Sequence, residues 1–325
     1  MGICPPVLPA GRRPRHPALR RFFGLLLLCG WLLCLCVRQP LPARADQTAT
    51  DPPPVPPETA DAAASPDIPW IRQDGLAFAE LPLPLRDGPG PRVAVVRLSP
   101  DVFDFVLCAV GRGKHPPLTL RQWAQREGLE AAINASMYLP DGVTSTGYLR
   151  EGSYANNSRL ARRFGAFFVA GPDDDALPAA TIIDRDEPDW QARLARYRLV
   201  IQNYRLISGD GRILWKPGGP RSAISAVGAD AEGHILFLHC REPLDAYSFA
   251  DGLLRLPLRL RAVMYVEGGG QAGLVLRADG LEREFNGRSA TEFLPAGSIR
   301  AALPNVLGAR RRPAAPSPET RENSR

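Results

Sequence analysis

A glutamate followed by three glycines, Glu267-Gly268-Gly269-Gly270, is the stretch of this sequence best suited to chemistry. It follows residues 261–266, whose apolar, β-prone character predicts a strand that ends in a carboxylate. Glycine adopts positive φ at little cost and lets backbone or ligand come close. The stretch therefore predicts a polar site at a glycine-lined strand end. A tight turn carrying an exposed glutamate is the alternative that this pattern leaves open.

The elements that would position Glu267 are mainly strands. Short β-branched or aromatic runs bounded by glycine, proline or aspartate are typical of strands, and they occur at residues 76–81, 92–98, 104–110, 164–169, 181–183, 199–202, 213–215, 222–227, 235–239, 261–266 and 274–276. Helices are predicted up to residue 127 behind a cap at Thr119, over 190–198, and up to residue 254 behind a cap at Asp245 or Ser248. Strands and helices do not alternate. We therefore predict an α+β fold, a single mixed, strand-rich domain with a few short helices, and not a doubly wound sheet.

The charge distribution gives no reason to expect a nucleic-acid partner. The 325-residue chain has a formal charge of +6, but arginines near its two ends supply much of the excess, at positions 12, 13, 15, 20, 21 and 310–312. No basic stripe with interleaved aromatic residues runs through the middle. The hydrophobic content of 45% is that of a globular chain. We therefore predict a folded domain that does not bind nucleic acid.

The first 45 residues have the pattern of a secretory signal, with basic residues, an apolar run over 22–37 and Ala43-Arg44-Ala45. We expect cleavage after Ala45 and an exported, periplasmic or extracellular protein. An uncleaved membrane anchor is the alternative, although the run is shorter than the roughly 20 residues of a spanning helix; membrane contact is expected only there. Residues 46–69 predict a disordered tether, 70–309 the folded domain and 310–325 a disordered basic tail.

Only two of the six cysteines, Cys108 and Cys240, lie beyond the predicted cleavage site. Both fall in apolar, strand-like runs, which predicts two buried thiols, with a disulfide as the alternative in an oxidising compartment. The cysteines and histidines have no zinc-binding spacing. We predict no cofactor. A divalent cation held by Glu267 and loop oxygens is the alternative, although the sequence has no EF-hand-type loop.

Three sequence blocks in fixed order resemble the phosphodiester glycosidase family. They are residues 132–138 around Asn134, residues 219–236 beginning at Gly219-Pro220-Arg221, and residues 262–270 ending in the Glu267 stretch. Residues 303–308 resemble the closing segment of the family, so the resemblance covers about residues 76–308. The chain departs from the usual pattern of the family in carrying Glu267 where aspartate is usual and Gln271 after the third glycine. Ala135 and Ser136 stand where two glycines usually follow the asparagine.

The resemblance implies hydrolysis of the bond between the anomeric carbon of a sugar and a phosphodiester. Such a reaction must hold the phosphate, stabilise an oxocarbenium-like sugar and supply water or a carboxylate as nucleophile. Arg221 suits the phosphate because guanidinium presents a planar fork of donors. Glu267 suits a base, a nucleophile or an acceptor for a sugar hydroxyl. Asn134 would bind sugar hydroxyls or a phosphate oxygen. A salt-bridged Arg221 and a buried, turn-forming Asn134 are the structural alternatives.

Further substrate-binding candidates surround these motifs. They are Tyr138, Thr146, Tyr148, His239, Gly268, Gly269 and Gly270. The tyrosines would stack on a sugar ring or pack in the core, and the threonine would line the site. The histidine ends a predicted strand and is an acid/base candidate or a structural residue. The glycines would offer backbone N–H groups to an anion.

Two hypotheses follow from the sequence. The first is an exported hydrolase acting on a sugar-1-phosphodiester or a related envelope glycan, with a glycan or sugar phosphate as its partner. Phosphate is a good leaving group, so Glu267 alone would suffice, with Asp141 and Glu151 as fallback carboxylates that also fit ordinary loop residues. The second is a non-catalytic glycan- or phosphate-binding protein on the same scaffold. Both predict that Asn134, Arg221 and Glu267 line one cleft.

Overall fold

The computed structural model describes residues 68–113, 115–288 and 301–313. The predicted signal segment 1–45, nearly all of the predicted tether 46–69 and most of the predicted tail 310–325 lie outside the described residues. Of the helices within the described ranges, none has the length and apolar character needed to cross a membrane.

Strands dominate the described residues. The strands are β1 (Ile71–Gln73), β2 (Leu76–Leu85), β3 (Gly88–Leu98), β4 (Phe103–Ala109), β5 (Ala131–Asn134), β6 (Leu149–Glu151), β7 (Tyr154–Asn157), β8 (Ala166–Pro172), β9 (Ala180–Asp184), β10 (Tyr197–Ile207), β11 (Ser222–Asp230), β12 (Ile235–Leu244), β13 (Leu260–Gly268), β14 (Gly273–Ala278), β15 (Leu281–Asn286) and β16 (Asn305–Arg311). The helices are α1 (Leu120–Glu127), α2 (Trp190–Ala195) and α3 (Ala246–Arg255). The prediction of a strand-rich domain with a few short helices is confirmed. The helices are so few that the fold is mostly β.

Two antiparallel sheets organise the strands. The larger sheet has the order β1-β2-β3-β12-β11-β13-β10-β6-β7, with β8 pairing with β10 and β9 pairing with β8. The smaller sheet has the order β15-β14-β5-β16-β4. The chain passes from the larger sheet to the smaller one at the end of β13, where a short 3-10 turn, Gly269–Gln271, leads into β14. The Glu267 stretch thus lies where the two sheets are joined.

The main hydrophobic core fills the space between the sheets. Phe105 of β4 packs against Phe168 of β8 and Phe237 of β12, with ring centroids 5.4 and 6.2 Å apart. Helix α3 covers the other face of the larger sheet through Phe249 and Leu253, and α1 covers the outer face of the smaller sheet. Burial of large aromatic and aliphatic side chains at this scale is the main force that holds the layers together.

The helix ends follow from local sequence. At α1, Thr119 accepts a hydrogen bond from Gln122 N, the Gln122 side chain accepts one from Thr119 N, and Gly128 ends the helix at φ 63°. Asp245, not Ser248, caps α3, because its carboxylate accepts a hydrogen bond from Ser248 N. Both predicted starts are therefore present, and the ambiguity at the third helix is resolved in favour of Asp245.

Three sequence expectations are corrected by the structure. Helix α2 ends at Ala195 rather than at residue 198, because the chain from Tyr197 onwards pairs as β10 with β8. Residues 213–215 form only an isolated bridge, Ile207 to Ile213, and not a strand. The folded region continues past residue 309, because β16 pairs with β4 through Arg311, whose guanidinium is held by Glu130 at 2.7 Å.

Cys108 and Cys240 are both buried free thiols, and the structure contains no disulfide between them. They belong to different clusters: Cys108 packs under α1 and Cys240 packs under α3. Burial raises the pKa of each thiol to about 12. The two cysteines are therefore core residues with low nucleophilic reactivity.

Candidate active site

Strand β13 delivers Glu267 to a strand end that is paired on one side only. Its pairing with β10 runs from Val263 to Tyr265 and then stops. Its pairing with β11 continues, with Ser225 opposite Glu267 and Ile224 opposite Gly268. The last residues of β13 therefore do not pair with β10, whereas their backbone still pairs with β11.

A β-bulge at Val266 decides which way Glu267 points. Ala226 of β11 lies opposite Tyr265 of β13, and the next residue, Ser225, lies opposite Glu267. Strand β13 therefore has one extra residue, Val266, at this point. Tyr265 packs on the α3 side of the sheet with Ala226, and Ser225 faces the smaller sheet, where its Oγ lies 3.2 Å from Gly273 O. Directly opposed residues of neighbouring strands point to the same face, so the bulge turns Glu267 to the face of Ser225.

The registers of three neighbouring strands place His239, Ser225 and Glu267 side by side. His239 of β12 lies opposite Ser225 of β11, which lies opposite Glu267 of β13. All three side chains are buried. The ring centroid of His239 lies 6.3 Å from that of Phe285 on β15, so the row of His239, Ser225 and Glu267 faces the smaller sheet.

The Glu267 carboxyl is enclosed and incompletely hydrogen-bonded. The residue is 7% exposed, its Oε1 accepts a hydrogen bond from Gly268 N at 2.8 Å, and its Oε2 has no partner among the described residues. Burial raises the pKa of Glu267 to about 7, and the Gly268 hydrogen bond opposes that rise. Both protonation states are therefore populated near neutral pH, as acid/base catalysis requires.

His239 is a neutral acceptor in this environment. Its Nδ1 lies 3.0 Å from Ser225 Oγ, and its Nε2 has no partner within the described ranges. Burial, with a smaller contribution from Arg241, lowers the pKa of His239 to about 3. When the Ser225 hydroxyl donates to Gly273 O, Nδ1 must donate to that hydroxyl, which leaves Nε2 free to accept. At neutral pH His239 can bind a hydroxyl group but carries no positive charge.

Asn134 positions the turn after Glu267. Its Nδ2 donates to Gln271 O at 2.8 Å, and its Oδ1 accepts from Gly273 N at 2.9 Å. The side chain is fully buried at the end of β5. Its amide therefore ties the smaller sheet to the Gly269–Gln271 turn, which agrees with the structural alternative of a buried, turn-forming asparagine.

Replacing Asn134 by alanine should loosen this turn. Gly273 N–H and Gln271 O would both lose their partner inside the protein, which costs about 1–3 kcal/mol of unfolding free energy. Asn134→Asp keeps the acceptor for Gly273 N–H but places a buried carboxylate against Gln271 O, so at neutral pH it should lose at least as much stability. Urea unfolding of both variants measures the difference, and equal stability of Asn134→Ala and the unaltered chain would contradict the positioning role.

Further polar groups, buried or half-buried, surround the row of His239, Ser225 and Glu267. Tyr138 donates to Asn305 O at 3.2 Å, Ser136 Oγ lies 3.2 Å from Asn305 Oδ1, and Asn203 of β10 donates to Ala135 O at 2.9 Å. Burial and the charge of Glu267 raise the pKa of Tyr138 well above its usual value, which places its hydroxyl in the electrostatic field of Glu267. Asn203 Oδ1 and Asn305 Nδ2 have no partner among the described residues.

These residues, together with the row, form a polar layer between the two sheets, in which Tyr138 is half-buried and the others are buried: Asn134, Ser136, Asn203, Ser225, His239, Glu267 and Asn305. Buried polar atoms without partners are rare in proteins, and a bound water, an ion or a role in catalysis explains many of them. The sequence prediction did not include Ser136, Asn203, Ser225 or Asn305. Asn203 was detectable as a polar interruption of an apolar strand, whereas Ser225 becomes notable only through its register.

Three predicted site residues lie elsewhere or are engaged otherwise. Arg221 is exposed ahead of β11, and its Nε and Nη2 donate to Pro243 O at 3.3 and 3.1 Å, so the expected salt bridge is absent within the described residues. Thr146 N donates to Met137 O at 3.0 Å, which keeps it beside the Tyr138 loop. Tyr148 packs against the cluster that β8, β9, β10 and α2 form. Asn134 therefore lies at the turn that follows Glu267, whereas the side-chain hydrogen bonds of Arg221 go to Pro243.

The fallback carboxylates do not join the polar layer. Asp141 is exposed, and its hydrogen bonds with Thr144 and Val143 N lower its pKa. Glu151 is buried, but its carboxylate is paired with Arg112 and Arg198 and accepts from Leu107 N. Among the described residues, Glu267 is therefore the only carboxylate in the polar layer. Within the same residues, no group of three aspartate, glutamate, histidine or cysteine side chains is arranged to hold a metal ion.

The fold has counterparts among solved structures. The catalytic domain of zebrafish N-acetylglucosamine-1-phosphodiester alpha-N-acetylglucosaminidase, auto-inhibited by its pro-peptide, is 14% identical over 74% of this chain and 85% of that chain, with a TM-score of 0.53. A hypothetical protein from Synechocystis is also 14% identical over 77% of this chain and 65% of that chain, with a TM-score of 0.51. At such identity the likeness concerns the fold. No curated protein matches the chain significantly.

Fold and polar layer together define a two-sheet antiparallel protein with an enclosed carboxyl group at the junction of the sheets. The sequence profile of the phosphodiester glycosidases matches residues 127–310, a span that contains Asn134, Ser225, His239, Glu267 and Asn305. The chain belongs to the phosphodiester glycosidase family, as the three sequence blocks indicated.

Proposed function

We propose that the chain is an exported hydrolase that cleaves the glycosidic bond of a sugar-1-phosphodiester or a related envelope glycan, with Glu267 as its catalytic carboxyl group. The observation that carries this proposal is the state of Glu267. It is 7% exposed, its Oε2 lacks a partner among the described residues, and burial holds its pKa at about 7. A carboxyl group arranged only for structure would have both oxygens satisfied.

The chemistry assigned to Glu267 is that of a base or nucleophile. As a base, its carboxylate takes a proton from water while the water oxygen bonds to the anomeric carbon. The bond between that carbon and the phosphate oxygen breaks, and the phosphate departs with the electron pair. As a nucleophile, Glu267 would form that bond itself and water would later displace it. A phosphodiester departs as a stabilised anion, so no second carboxyl group is required as acid.

The neutral polar groups of the layer suit a sugar. His239 Nε2 and Asn203 Oδ1 are free acceptors, and Asn305 Nδ2 is a free donor, within the described residues. Sugar hydroxyls both donate and accept, and uncharged partners bind them without repelling the anionic phosphate. Tyr138 and the backbone N–H groups of Gly269 and Gly270 are proposed as further contacts, whereas the N–H of Gly268 already donates to Glu267 Oε1.

Arg221 is proposed as the phosphate-binding group. It directly precedes β11, and Ile224 of that strand pairs with Gly268. To reach a phosphate, its guanidinium would exchange the Pro243 carbonyl for phosphate oxygens, a stronger charge-assisted contact. Thr146 is proposed to hold the loop that carries Tyr138. Tyr148 packs in another cluster and has no assigned part in the reaction.

A second candidate function is binding without turnover on the same scaffold. It is favoured by Glu267 standing where aspartate is usual in the family, since the longer side chain places its carboxyl group differently. The layer would then recognise a glycan or a sugar phosphate through its free donors and acceptors. Export through residues 1–45 to the periplasm or the extracellular space is proposed for either function, with glycans there as partners.

The test uses the purified chain and a methyl phosphodiester of N-acetylglucosamine-1-phosphate, because the zebrafish enzyme is named for that linkage. Methyl diesters of other sugar 1-phosphates and the phosphate monoester complete the panel. Release of free sugar from a diester, and not from the monoester, is expected. Binding by calorimetry without release from any diester would favour the second function, and neither binding nor release would reject both.

A further inference from the structure

A cleft lies on the α3 side of the larger sheet, with a volume of about 460 Å³. Its lining residues are Arg163, Tyr204, Arg205, Leu214, Trp215 and Lys216. We call it the Trp215 cleft. Trp215 and Lys216 come from the segment between β10 and β11, which forms no strand of its own among the described residues. The polar layer does not use any of these side chains.

The Trp215 cleft carries uncompensated positive charge. Arg205 is neutralised, because its guanidinium pairs with Asp184 at 2.8 Å and with Asp186. Arg163 and Lys216 are exposed, and neither has an ion pair within the described ranges. Two free cations at the border of a concave site attract anions and form charge-assisted hydrogen bonds with phosphate, sulfate or carboxylate groups.

The wall of the cleft is an aromatic surface held in a fixed orientation. The Trp215 indole Nε1 donates to Arg205 O at 2.9 Å, and its ring centroid lies 5.5 Å from that of Tyr204. Trp215 and Tyr204 are both only partly buried, and Leu214 is 39% exposed. Fixed aromatic rings with accessible faces combine apolar area with small entropic cost, which suits stacking against the C–H face of a sugar ring.

Tyr265 joins this cleft to the end of β13. Its ring centroid lies 5.4 Å from that of Trp215. Its hydroxyl is hydrogen-bonded to Ser222, and a Cβ atom added at Gly268 would lie 2.1 Å from that hydroxyl oxygen. The Trp215 cleft is therefore one aromatic ring away from the backbone that carries Glu267.

We propose that the Trp215 cleft binds an anionic glycan that reaches it from the sugar held at Glu267, on the other face of the sheet, around the end of β13, where β10 no longer pairs with that strand. The proposal rests on the proposed function and names its substrate class: a sugar-1-phosphodiester attached to a negatively charged saccharide rather than to a small alcohol. Single-stranded nucleic acid also combines phosphates with stacking rings, but it binds along a groove with successive aromatic platforms. Here the partly exposed rings converge on one indole, and Tyr265 links the cleft to the strand that carries Glu267.

Calorimetric titration of the purified chain tests this proposal with three probes of similar length at physiological salt. The probes are hexagalacturonate, the neutral hexasaccharide maltohexaose and hexathymidylate. Hexagalacturonate is expected to bind at least about tenfold more tightly than either of the others. Lys216→Glu should weaken that binding by at least about tenfold, because it reverses one of the two free charges. Trp215→Phe, which keeps a ring in the wall, should weaken it by a smaller factor.

Matched controls separate the cleft from general charge and aromatic effects. Arg159→Glu reverses the charge of another exposed arginine that has no ion pair within the described ranges, and Trp190→Phe changes a tryptophan that stacks on Phe167. Both should bind hexagalacturonate as the unaltered chain does. Equal binding of maltohexaose, tighter binding of hexathymidylate, or full binding by Lys216→Glu would overturn the proposal. Binding is measured without turnover, so a chain that binds but hydrolyses no diester would refute the proposed function alone.

Discussion

Glu267→Gln should lower kcat on a sugar-1-phosphodiester by about 10²- to 10⁴-fold and leave KM within a few-fold of its original value. Glutamine is nearly isosteric with glutamate, and its Oε1 can still accept the hydrogen bond that Gly268 N donates at 2.8 Å. It has no carboxylate to take a proton or attack the anomeric carbon. The loss should therefore appear in the chemical step rather than in substrate binding.

The control for this variant is Glu282→Gln, which removes a half-exposed glutamate on β15 that pairs with Arg121 on the surface. It should hydrolyse the diester at the original rate. A Glu267→Gln variant with at least a tenth of the original kcat would show that the reaction uses another group. Glu267 would then not be the catalytic group, even though the fold and family stand.

The second large effect concerns stability, which should decline on both sides of a mildly acidic maximum because of two buried groups. Burial raises the pKa of Glu267 from 4.5 to about 7, so the folded state holds a proton that the unfolded state releases. Stability from this residue is present below pH 4.5 and is lost as pH rises towards 7. Burial lowers the pKa of His239 from 6.5 to about 3, so its contribution is present above pH 6.5 and is lost as pH falls towards 3.

Variants isolate the two contributions. At about pH 8, the free energy of unfolding of Glu267→Gln should exceed that of the unaltered chain by about 3 kcal/mol, because the amide carries no charge to bury. At about pH 4 the two chains should be nearly equal. Between pH 6.5 and about pH 4, the free energy of unfolding of His239→Gln should fall by about 3 kcal/mol less than that of the unaltered chain.

Urea unfolding followed by tryptophan fluorescence at three pH values supplies these free energies, with Glu282→Gln as a control that should follow the unaltered chain. If Glu267→Gln is no more stable than the unaltered chain at pH 8, the carboxyl group is not held in a desolvated environment. If the free energy of unfolding of His239→Gln falls as much at low pH as that of the unaltered chain, other buried or paired groups cause the loss of stability in acid.

Local patterns in the sequence were sufficient to predict the strand before Glu267 and the limits of α1. The apolar run and the glycines predicted where β13 ends, and Thr119 with Gly128 predicted both ends of α1. The order of the three motifs also indicated the family, which the profile match over residues 127–310 confirms. These features depend on neighbouring residues, and neighbouring residues are what a sequence displays directly.

The site itself depends on register, which a single sequence does not display. The bulge at Val266 turns Glu267 from the side of Tyr265 to the side of Ser225, and simple alternation would predict the opposite. The hydrogen bond between Ser225 and His239 joins residues 14 positions apart on different strands. Arg221 shows the same limit, because its exposed position beside Pro243 follows from how β11 and β12 meet.

The interpretation of Asn134 changed most between sequence and structure. Its place at the end of an apolar run, beside tyrosine and serine, suggested a ligand for sugar or phosphate. Both atoms of its amide are occupied by Gln271 O and Gly273 N, across 137 and 139 positions of sequence. The residue therefore acts on the site by holding the turn that follows Glu267.

The pH dependence of kcat/KM on a sugar-1-phosphodiester tests the central claim, that Glu267 carries the reaction as a base or nucleophile, most directly. This quantity reports ionisations of the free enzyme. We predict that it rises with pH through a midpoint near 7, where burial holds the pKa of Glu267, and that the residual activity of Glu267→Gln lacks that midpoint. A midpoint that persists unchanged in Glu267→Gln, or a rate that falls where the carboxylate forms, would contradict the account.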